Sequence, residues 1–254
     1  MNAETQYIEK RLIDLSRQAN RKGIVMFSDF LSLHEQSILQ QNKDQLEARI
    51  ELSGGYTYAE RQMAAFIPDA LFYEWEYPFV CIQILPAYPK FAEQLTHRDV
   101  LGALMSLGIE RSRIGDLIVD VTEKETNIFF FAEEDLAPYI VDSLVSIRHT
   151  VVTARQLAAA QIDYVPHFTE KESIITSNRL DAVIAAICKL SRSAALRLIQ
   201  EGKIFVNGAE CLHNTYYCKP NDILSIRGFG KVRFGEILGT TRKDRIRFSY
   251  QLFD

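Results

Sequence analysis

Basic and hydroxyl side chains are concentrated in one stretch near the C-terminus of the chain. Apolar residues from Leu180 to Ile187 recur at the spacing of one helix face, and Ser191 is positioned to cap a second helix. Guanidinium, ammonium and hydroxyl groups on short helices bind phosphate oxygens, and N–H groups at helix N-termini add to the attraction. We therefore expect seven side chains to contact RNA phosphates: Arg179, Lys189, Ser191, Arg192, Ser193, Arg197 and Lys203.

A second group of side chains that could take part in chemistry is the segment Thr96-His97-Arg98-Asp99. His97 could act as an acid or base with Asp99, but Thr96 and Asp99 also have the spacing that caps a helix. We favour capping, or phosphate binding, over catalysis. Arg98, Arg111 and Arg113 then form a predicted second set of RNA contacts.

The cysteines do not indicate a metal or redox site. Cys188, Cys211, His213 and Cys218 could in principle hold a metal, but their spacing fits no common ligand pattern, and no CxxC pair occurs. The sequence also lacks GxGxxG, P-loop, GxSxG and HExxH motifs. We therefore predict no catalytic residue, no metal and no cofactor.

The charge is unevenly distributed along the 254 residues, whose net charge is -4. Residues 1–174 carry 16 Lys and Arg against 26 Asp and Glu, whereas residues 175–254 carry 13 against 7. A basic segment on an acidic body is typical of a nucleic-acid-binding module, although a solvated basic face would give the same counts. The apolar runs are too short for a secretory signal or a membrane span, so we expect a cytoplasmic protein with no membrane partner.

Three domains of an α+β protein are predicted to carry these groups. Residues 1–75 form a small α-rich domain, with helical periodicity from Tyr7 to about Gln45, a cap at Ser28 or Asp29, and a helix-like segment at 59–66. Residues 76–174 follow the order β-α-β-β-α-β of a ferredoxin-like, RRM-like domain, in which the polar segment 122–127 joins two strands. Residues 175–254 combine two short helices with a small β element, including an Asn207-Gly208 hairpin turn and a strand at 223–226.

The aromatic strand of the middle domain allows two interpretations. Residues 127–132 lack the basic residue and the glycine with which an RNA-recognition motif begins its third strand. Alternation places Phe129 and Phe131 on one face and Ile128 and Phe130 on the other. One pair could stack bases, but we favour burial of all four side chains.

The C-terminal segment resembles the S4 domain, an RNA-binding fold, over about 50 residues. The shared motifs are RLD (179–181), SRS (191–193), LI (198–199), G-K-I-x-V-N-G (202–208) and K-P-x-D (219–222). The chain departs from many relatives at Ala194 and Leu196, where an acidic and a basic residue are usual, and at Asn221, where glycine is usual. The first departure removes one expected phosphate contact. The resemblance nevertheless implies that the arginines are functional and not merely solvated.

Nearly the whole chain resembles YlmH-type S4-domain proteins, through FLSLHEQSIL (30–39), GGYTYAERQMAAFIPD (54–69) and THRDVLGALMSLGIERSRIGDL (96–117). The resemblance implies a non-catalytic protein that binds rRNA and tRNA on the ribosome. It further implies the large subunit carrying a stalled peptidyl-tRNA, in ribosome-associated quality control. We expect a monomer when the protein is free. An RNA-modifying enzyme targeted by its S4 domain, and a division-linked scaffold that binds through its acidic body, are the alternatives.

Overall fold

The computed structural model of the protein describes residues 3–121, 126–157 and 164–253. The chain divides into two compact units, Met1–Tyr164 and Val165–Asp254. Most of the polar segment predicted to join two strands, residues 122–125, lies outside the described residues. None of the helices in the described ranges is long and apolar enough to cross a membrane.

The N-terminal part of the first unit combines two helices with a three-stranded antiparallel sheet. The strand order is β1-β3-β2, with β3 in the centre. The elements are α1 (Ala3–Lys22), β1 (Met26–Leu31), α2 (Leu33–Gln41), β2 (Arg49–Ser53) and β3 (Gln62–Ile67).

Two local predictions in this part are wrong. Ser28 and Asp29 lie within β1, and the residue that caps α2 is Ser32, whose hydroxyl accepts from the Glu35 backbone N–H. The segment predicted as helix-like contains the strand β3. Its buried run from Met63 to Ile67 is apolar throughout, and periodicity does not separate a buried helix from a buried strand in such a run. Pairing with β1 on one side and β2 on the other decides the conformation.

The remainder of the first unit has the predicted ferredoxin-like topology. Its antiparallel sheet has the order β5-β6-β4-β8-β7, which is the β-α-β-β-α-β arrangement with one short strand added at an edge. The elements are β4 (Phe79–Pro86), α3 (His97–Ser106), β5 (Ile114–Val121), β6 (Thr126–Glu133), α4 (Ala137–Ser143), β7 (Ser146–Ile147) and β8 (Thr150–Leu157).

Both faces of this five-stranded sheet are covered. On one face, Ile82, Ile128 and Phe130 are buried in a core with Val100 of α3 and Ile140 of α4. On the other face, Cys81 and Phe131 are buried in a cluster that includes Phe30 and Met63 from β1 and β3. The N-terminal strands therefore occupy the sheet face that an RNA-recognition motif leaves open.

The second unit is a six-stranded antiparallel sheet with two helices. The sheet has the order β11-β10-β12-β13-β14-β9 and is larger than the small β element predicted from the sequence. Its first strand pairs along its full length with the last strand, so the predicted boundary at 174/175 falls inside it. The elements are β9 (Phe168–Ile175), α5 (Leu180–Ile187), α6 (Arg192–Gln200), β10 (Ile204–Val206), β11 (Ala209–Glu210), β12 (Ile223–Ile226), β13 (Gly230–Thr240) and β14 (Ile246–Phe253).

Candidate nucleic-acid interface

A tight connection between α5 and α6 positions most of the predicted basic residues. All of α5 except Ala186 is buried, and its packing fixes the direction of the helix. Lys189 adopts a left-handed conformation (φ 54°), and the Leu190 N–H donates to the Ala185 carbonyl at 2.9 Å, which ends α5 abruptly. One residue later, Ser191 caps α6 by accepting from the Ala194 N–H at 3.2 Å. The Lys189 side chain is exposed at this connection.

One buried carboxylate holds two of the predicted arginines. Arg179 Nε lies 3.1 Å from Asp181 Oδ1, and Arg192 Nη2 lies 2.8 Å from Asp181 Oδ2. The Asp181 side chain is 5% exposed, whereas the side chains of Arg179 and Arg192 are 32% and 51% exposed. Two guanidiniums around one carboxylate leave a net positive charge, and each guanidinium carries five N–H donors. The cluster can therefore orient both arginines while they keep donors for an external anion.

The other predicted residues lie on α6 or just after it. The hydroxyls of Ser191 and Ser193 are 2.9 Å apart. Arg197 is exposed on α6. Lys203 Nζ is 2.7 Å from a Glu201 carboxylate oxygen. The hydrogen bond and charge of Lys203, together with the charge of Arg197, lower the pKa of Glu201. These side chains are thus brought to one helix and its C-terminal turn.

The G-K-I-x-V-N-G and K-P-x-D motifs form the scaffold that supports the helix pair. Asn207 and Gly208 both have positive φ, at 49° and 78°, as the hairpin prediction requires. The buried Asp222 carboxylate accepts from the Asn207 amide at 2.8 Å, the Tyr216 hydroxyl at 2.9 Å and the Lys219 N–H at 2.8 Å. These hydrogen bonds join the hairpin to the following loop. In turn, the Leu180 N–H donates to the Tyr216 carbonyl, which ties the loop to the start of α5.

The three arginines of the predicted second set of RNA contacts lie in different environments. Arg98 is exposed near the start of α3, with no ion pair among the described residues. Arg111 is partly buried and donates to the carbonyls of Ile114 and Gly115, and burial lowers its pKa to about 10. Arg113 forms ion pairs with both Glu133 and Asp135. Arg111 and Arg113 therefore have structural partners within the first unit.

The aromatic strand of the middle domain is not an open stacking surface. Ile128, Phe130 and Phe131 have no exposed area, and Phe129 is half-buried. The ring of Tyr56 stacks on Phe131 with centroids 5.6 Å apart and an interplanar angle of 7°. Burial is confirmed for three of the four side chains, and the alternative of base stacking by Phe131 is wrong.

The segment around His97 has the geometry of a helix cap. The Thr96 hydroxyl accepts from the Asp99 N–H, while the Asp99 carboxylate accepts from the Thr96 N–H at 2.9 Å and the Thr96 hydroxyl at 2.6 Å. These hydrogen bonds, with a smaller contribution from the charge of Arg148, lower the pKa of Asp99. The capping interpretation is confirmed.

Burial disfavours the thiolate form of two of the three cysteines considered as metal ligands. Within the described ranges, no three His, Cys, Asp or Glu residues form a group that could hold a metal ion. Cys218 is 1% exposed, and burial raises the pKa of its thiol well above the usual range. Burial also raises the pKa of Cys188, to about 11.

Several basic residues that the motif analysis left out lie in the turn between the last two strands or just after it. The turn between β13 and β14 carries Arg242, Lys243 and Arg245, all exposed, and Arg247 follows on β14. They belong to no short motif, so pattern matching does not find them. Their only signal in the sequence is the excess of positive charge after residue 174.

Comparisons with known proteins agree with this domain content. The family model described as "YlmH, N-terminal" matches residues 4–70, "Putative RNA-binding domain in YlmH" matches 74–161, and "S4 domain" matches 178–224. The chain is similar to "Ribosome-associated protein quality control protein P2" of Bacillus subtilis (strain 168), with 28% identity over 249 residues. That alignment covers 98% of this chain and 95% of the relative. The fold of this chain is similar to the solved structure of "Cell division protein ylmH from Streptococcus pneumoniae", with a TM-score of 0.50 and 20% identity. The match covers 64% of this chain and 97% of that one.

Proposed function

Because this chain belongs to the YlmH-type family of S4-domain proteins, we propose that it is a non-catalytic RNA-binding factor that acts on the ribosome. The proposed contacts are phosphate contacts made by the α5–α6 pair. The side chains assigned to them are Arg179, Lys189, Ser191, Arg192, Ser193, Arg197 and Lys203.

The observation that carries this proposal is the arrangement of Arg179 and Arg192 around the buried Asp181. The shared carboxylate limits the conformations of two long side chains whose outer surfaces stay in solvent, and so it positions both guanidinium groups. Restricting them before binding reduces the entropy lost when they contact phosphate, by roughly 0.5–1.5 kcal/mol for each side chain. Shape and backbone recognition of this kind suits A-form RNA, whose base edges in the deep groove are out of reach.

The finer proposal concerns the ribosomal state. The relative from Bacillus subtilis is named for ribosome-associated protein quality control, and the alignment with it spans nearly the whole of both chains. We therefore propose that this protein acts in the cytoplasm as a monomer and binds rRNA and tRNA on a large subunit that carries a stalled peptidyl-tRNA. The division into three domains remains part of this proposal, with the first boundary at about residue 75 and the second moved from 174 to a position before β9.

Co-sedimentation with purified ribosomes tests the proposal through Lys189→Glu combined with Arg197→Glu. Both side chains are exposed, and neither forms a hydrogen bond that the fold needs within the described residues. Reversing two charges removes two phosphate contacts and adds repulsion, so we expect binding to weaken roughly 10- to 100-fold at 0.1 M salt.

A matched control has the same change in net charge on the first unit. Lys43→Glu combined with Lys90→Glu alters two exposed lysines outside the S4 segment. This variant should sediment with ribosomes as the wild type does. Equal sedimentation of all three proteins would contradict the assignment of the α5–α6 pair.

The non-catalytic part of the proposal has its own test. The pair with the best potential for acid–base catalysis, His97 and Asp99, lies at a helix cap. The Asp99 carboxylate already accepts hydrogen bonds from Thr96. Mass spectrometry of rRNA and tRNA from wild-type and deletion strains should show the same modifications. A modification that is lost on deletion and restored by the protein would identify an RNA-modifying enzyme instead.

A further inference from the structure

The hairpin formed by β13 and β14 extends beyond the part of the sheet that packs on the helices. Val232 and Phe234 at its base are fully buried, as is Phe248. Further along, Ile237 and Leu238 are 49% and 41% exposed. Apart from residues 241 and 246, which are partly buried, every residue from 236 to 247 is exposed. The distal half of the hairpin is therefore an uncovered projection of the second unit.

The end of this hairpin has a defined backbone. The Thr241 N–H donates to the Arg245 carbonyl at 2.7 Å, and the Asp244 N–H donates to the Thr241 carbonyl at 3.0 Å. The Thr241 hydroxyl accepts from the Arg245 N–H at 3.2 Å, and Asp244 adopts a left-handed conformation with φ 51°. These hydrogen bonds close the turn with main-chain groups and one hydroxyl. The charged side chains of the turn are left for solvent or a partner.

Four cations and one anion occupy six consecutive positions at this end. Arg242, Lys243 and Arg245 form no ion pair among the residues that the structure describes, and Arg247 has only a distant one, 3.8 Å from Glu172. A surface patch with this charge imbalance attracts a polyanion. Arginine is the cation suited to phosphate, because its planar guanidinium donates two parallel hydrogen bonds. No aromatic anchor of the kind that dominates protein–protein hot spots occurs between residues 235 and 247.

We propose that the end of the β13–β14 hairpin, named here the basic tip and defined as residues 241–247, is a second RNA-binding element of this protein. It lies outside the matched S4 segment, which ends at residue 224. The inference rests on the proposed function, because it assigns further phosphate contacts on the RNA that the α5–α6 pair binds. The α5–α6 pair and the basic tip, which belong to the same compact unit, both bind the RNA backbone.

The test is a salt titration of binding by the full-length protein carrying Arg242→Gln, Lys243→Gln and Arg245→Gln. Each phosphate contact contributes about 0.7–0.9 to the slope of log affinity against log salt. Losing three contacts should lower that slope by about 2 to 3, which corresponds to a roughly 100- to 500-fold loss of affinity at 0.1 M salt when the affinities at 1 M salt are equal. Glutamine keeps the main-chain hydrogen bonds of the turn, so the thermal unfolding midpoint should not change.

A control variant with the same loss of charge separates a specific contact from a general electrostatic effect. Lys10→Gln, Lys43→Gln and Lys90→Gln change three exposed lysines of the first unit. We expect this control to bind with the wild-type salt slope. A control that loses as much affinity as the basic-tip variant would overturn the proposal.

Two probes, purified ribosomes and protein-free rRNA, distinguish the remaining outcomes. Weaker binding of the basic-tip variant to both probes supports RNA as the partner. Weaker binding to ribosomes alone would show that the basic tip contacts a ribosomal protein, which overturns the proposal. If the basic-tip variant binds both probes as wild type while the Lys189→Glu, Arg197→Glu variant is impaired, the inference fails and the proposed function stands. If the wild-type protein binds neither probe, both fail.

Discussion

The two arginines that share Asp181 should be energetically coupled, and the coupling can be estimated from their burial. In the single variants Arg179→Gln and Arg192→Gln, the carboxylate keeps one cation. A hydrogen bond to a charged group contributes about 1.5–3 kcal/mol. The arginine side chains are 32% and 51% exposed, so solvent reduces this to about 1 kcal/mol for each single substitution.

The double variant should lose more than the sum of the two single variants. It leaves Asp181, whose side chain is 5% exposed, without a cation, and stranding a buried charge in this way costs about 3–5 kcal/mol. The two single losses sum to about 2 kcal/mol, so the expected coupling energy is about 1–3 kcal/mol. Adding Asp181→Asn supplies a stricter test. This substitution should destabilise the wild type, where it removes the partner of two arginines, yet stabilise the double variant, where it removes the stranded charge.

The measurement is a urea titration at pH 7, read by hydrogen exchange of peptides from α5 and α6. Urea is preferable to guanidinium chloride because salt screens ion pairs. Fluorescence would not report on this unit, since the single tryptophan, Trp75, lies in the first one. The role given to this carboxylate would be refuted if the double variant lost only the sum of the two single losses in free energy of unfolding. It would also be refuted if Asp181→Asn changed that free energy in the same direction in the wild type and in the double variant.

Three further outcomes follow from the packing and the caps. Gly55 has φ +89°, and a side chain there would overlap the Phe131 ring, so Gly55→Val should destabilise the first unit by at least about 2 kcal/mol in a urea titration followed by tryptophan fluorescence. Thr96→Ala removes the cap of α3 and should cost about 1 kcal/mol, seen as a decrease of about 2–4 °C in Tm; an unchanged Tm would contradict the capping geometry. Burial raises the pKa of Cys81 to about 12, so iodoacetamide at pH 8 should label the partly exposed Cys211 well before Cys81, and equal rates in the folded protein would argue against the described core.

Local signals in the sequence were sufficient for several elements of the fold. The Thr96 cap, the Asn207-Gly208 turn and the two helices after Arg179 each depend on residues within a few positions of one another. The ferredoxin-like order could be predicted as well, because the strands and helices of residues 79–157 alternate with a clear change of period. Short-range hydrogen bonds and side-chain spacing carry this information.

Other features required contacts between distant residues. The run from Met63 to Ile67 is equally apolar as a helix or a strand, and its two neighbouring strands make it a strand. The strand β9 pairs with β14, about 80 residues later in the chain, and no sequence motif predicts that pairing. The six-stranded sheet and its projecting hairpin were therefore not visible in the C-terminal sequence pattern.

The sequence by itself determined the type of module and the sign of its charge: an S4-like helix pair in a segment with excess Lys and Arg. Only the tertiary structure decided which cations are available. Arg113 is neutralised by Glu133 and Asp135, about twenty residues away, while Arg179 and Arg192 are held by a carboxylate that still leaves them partly in solvent. The reason is physical. A charge is counted in the sequence wherever it occurs, but its ability to bind phosphate depends on the partners and the solvent that folding places around it.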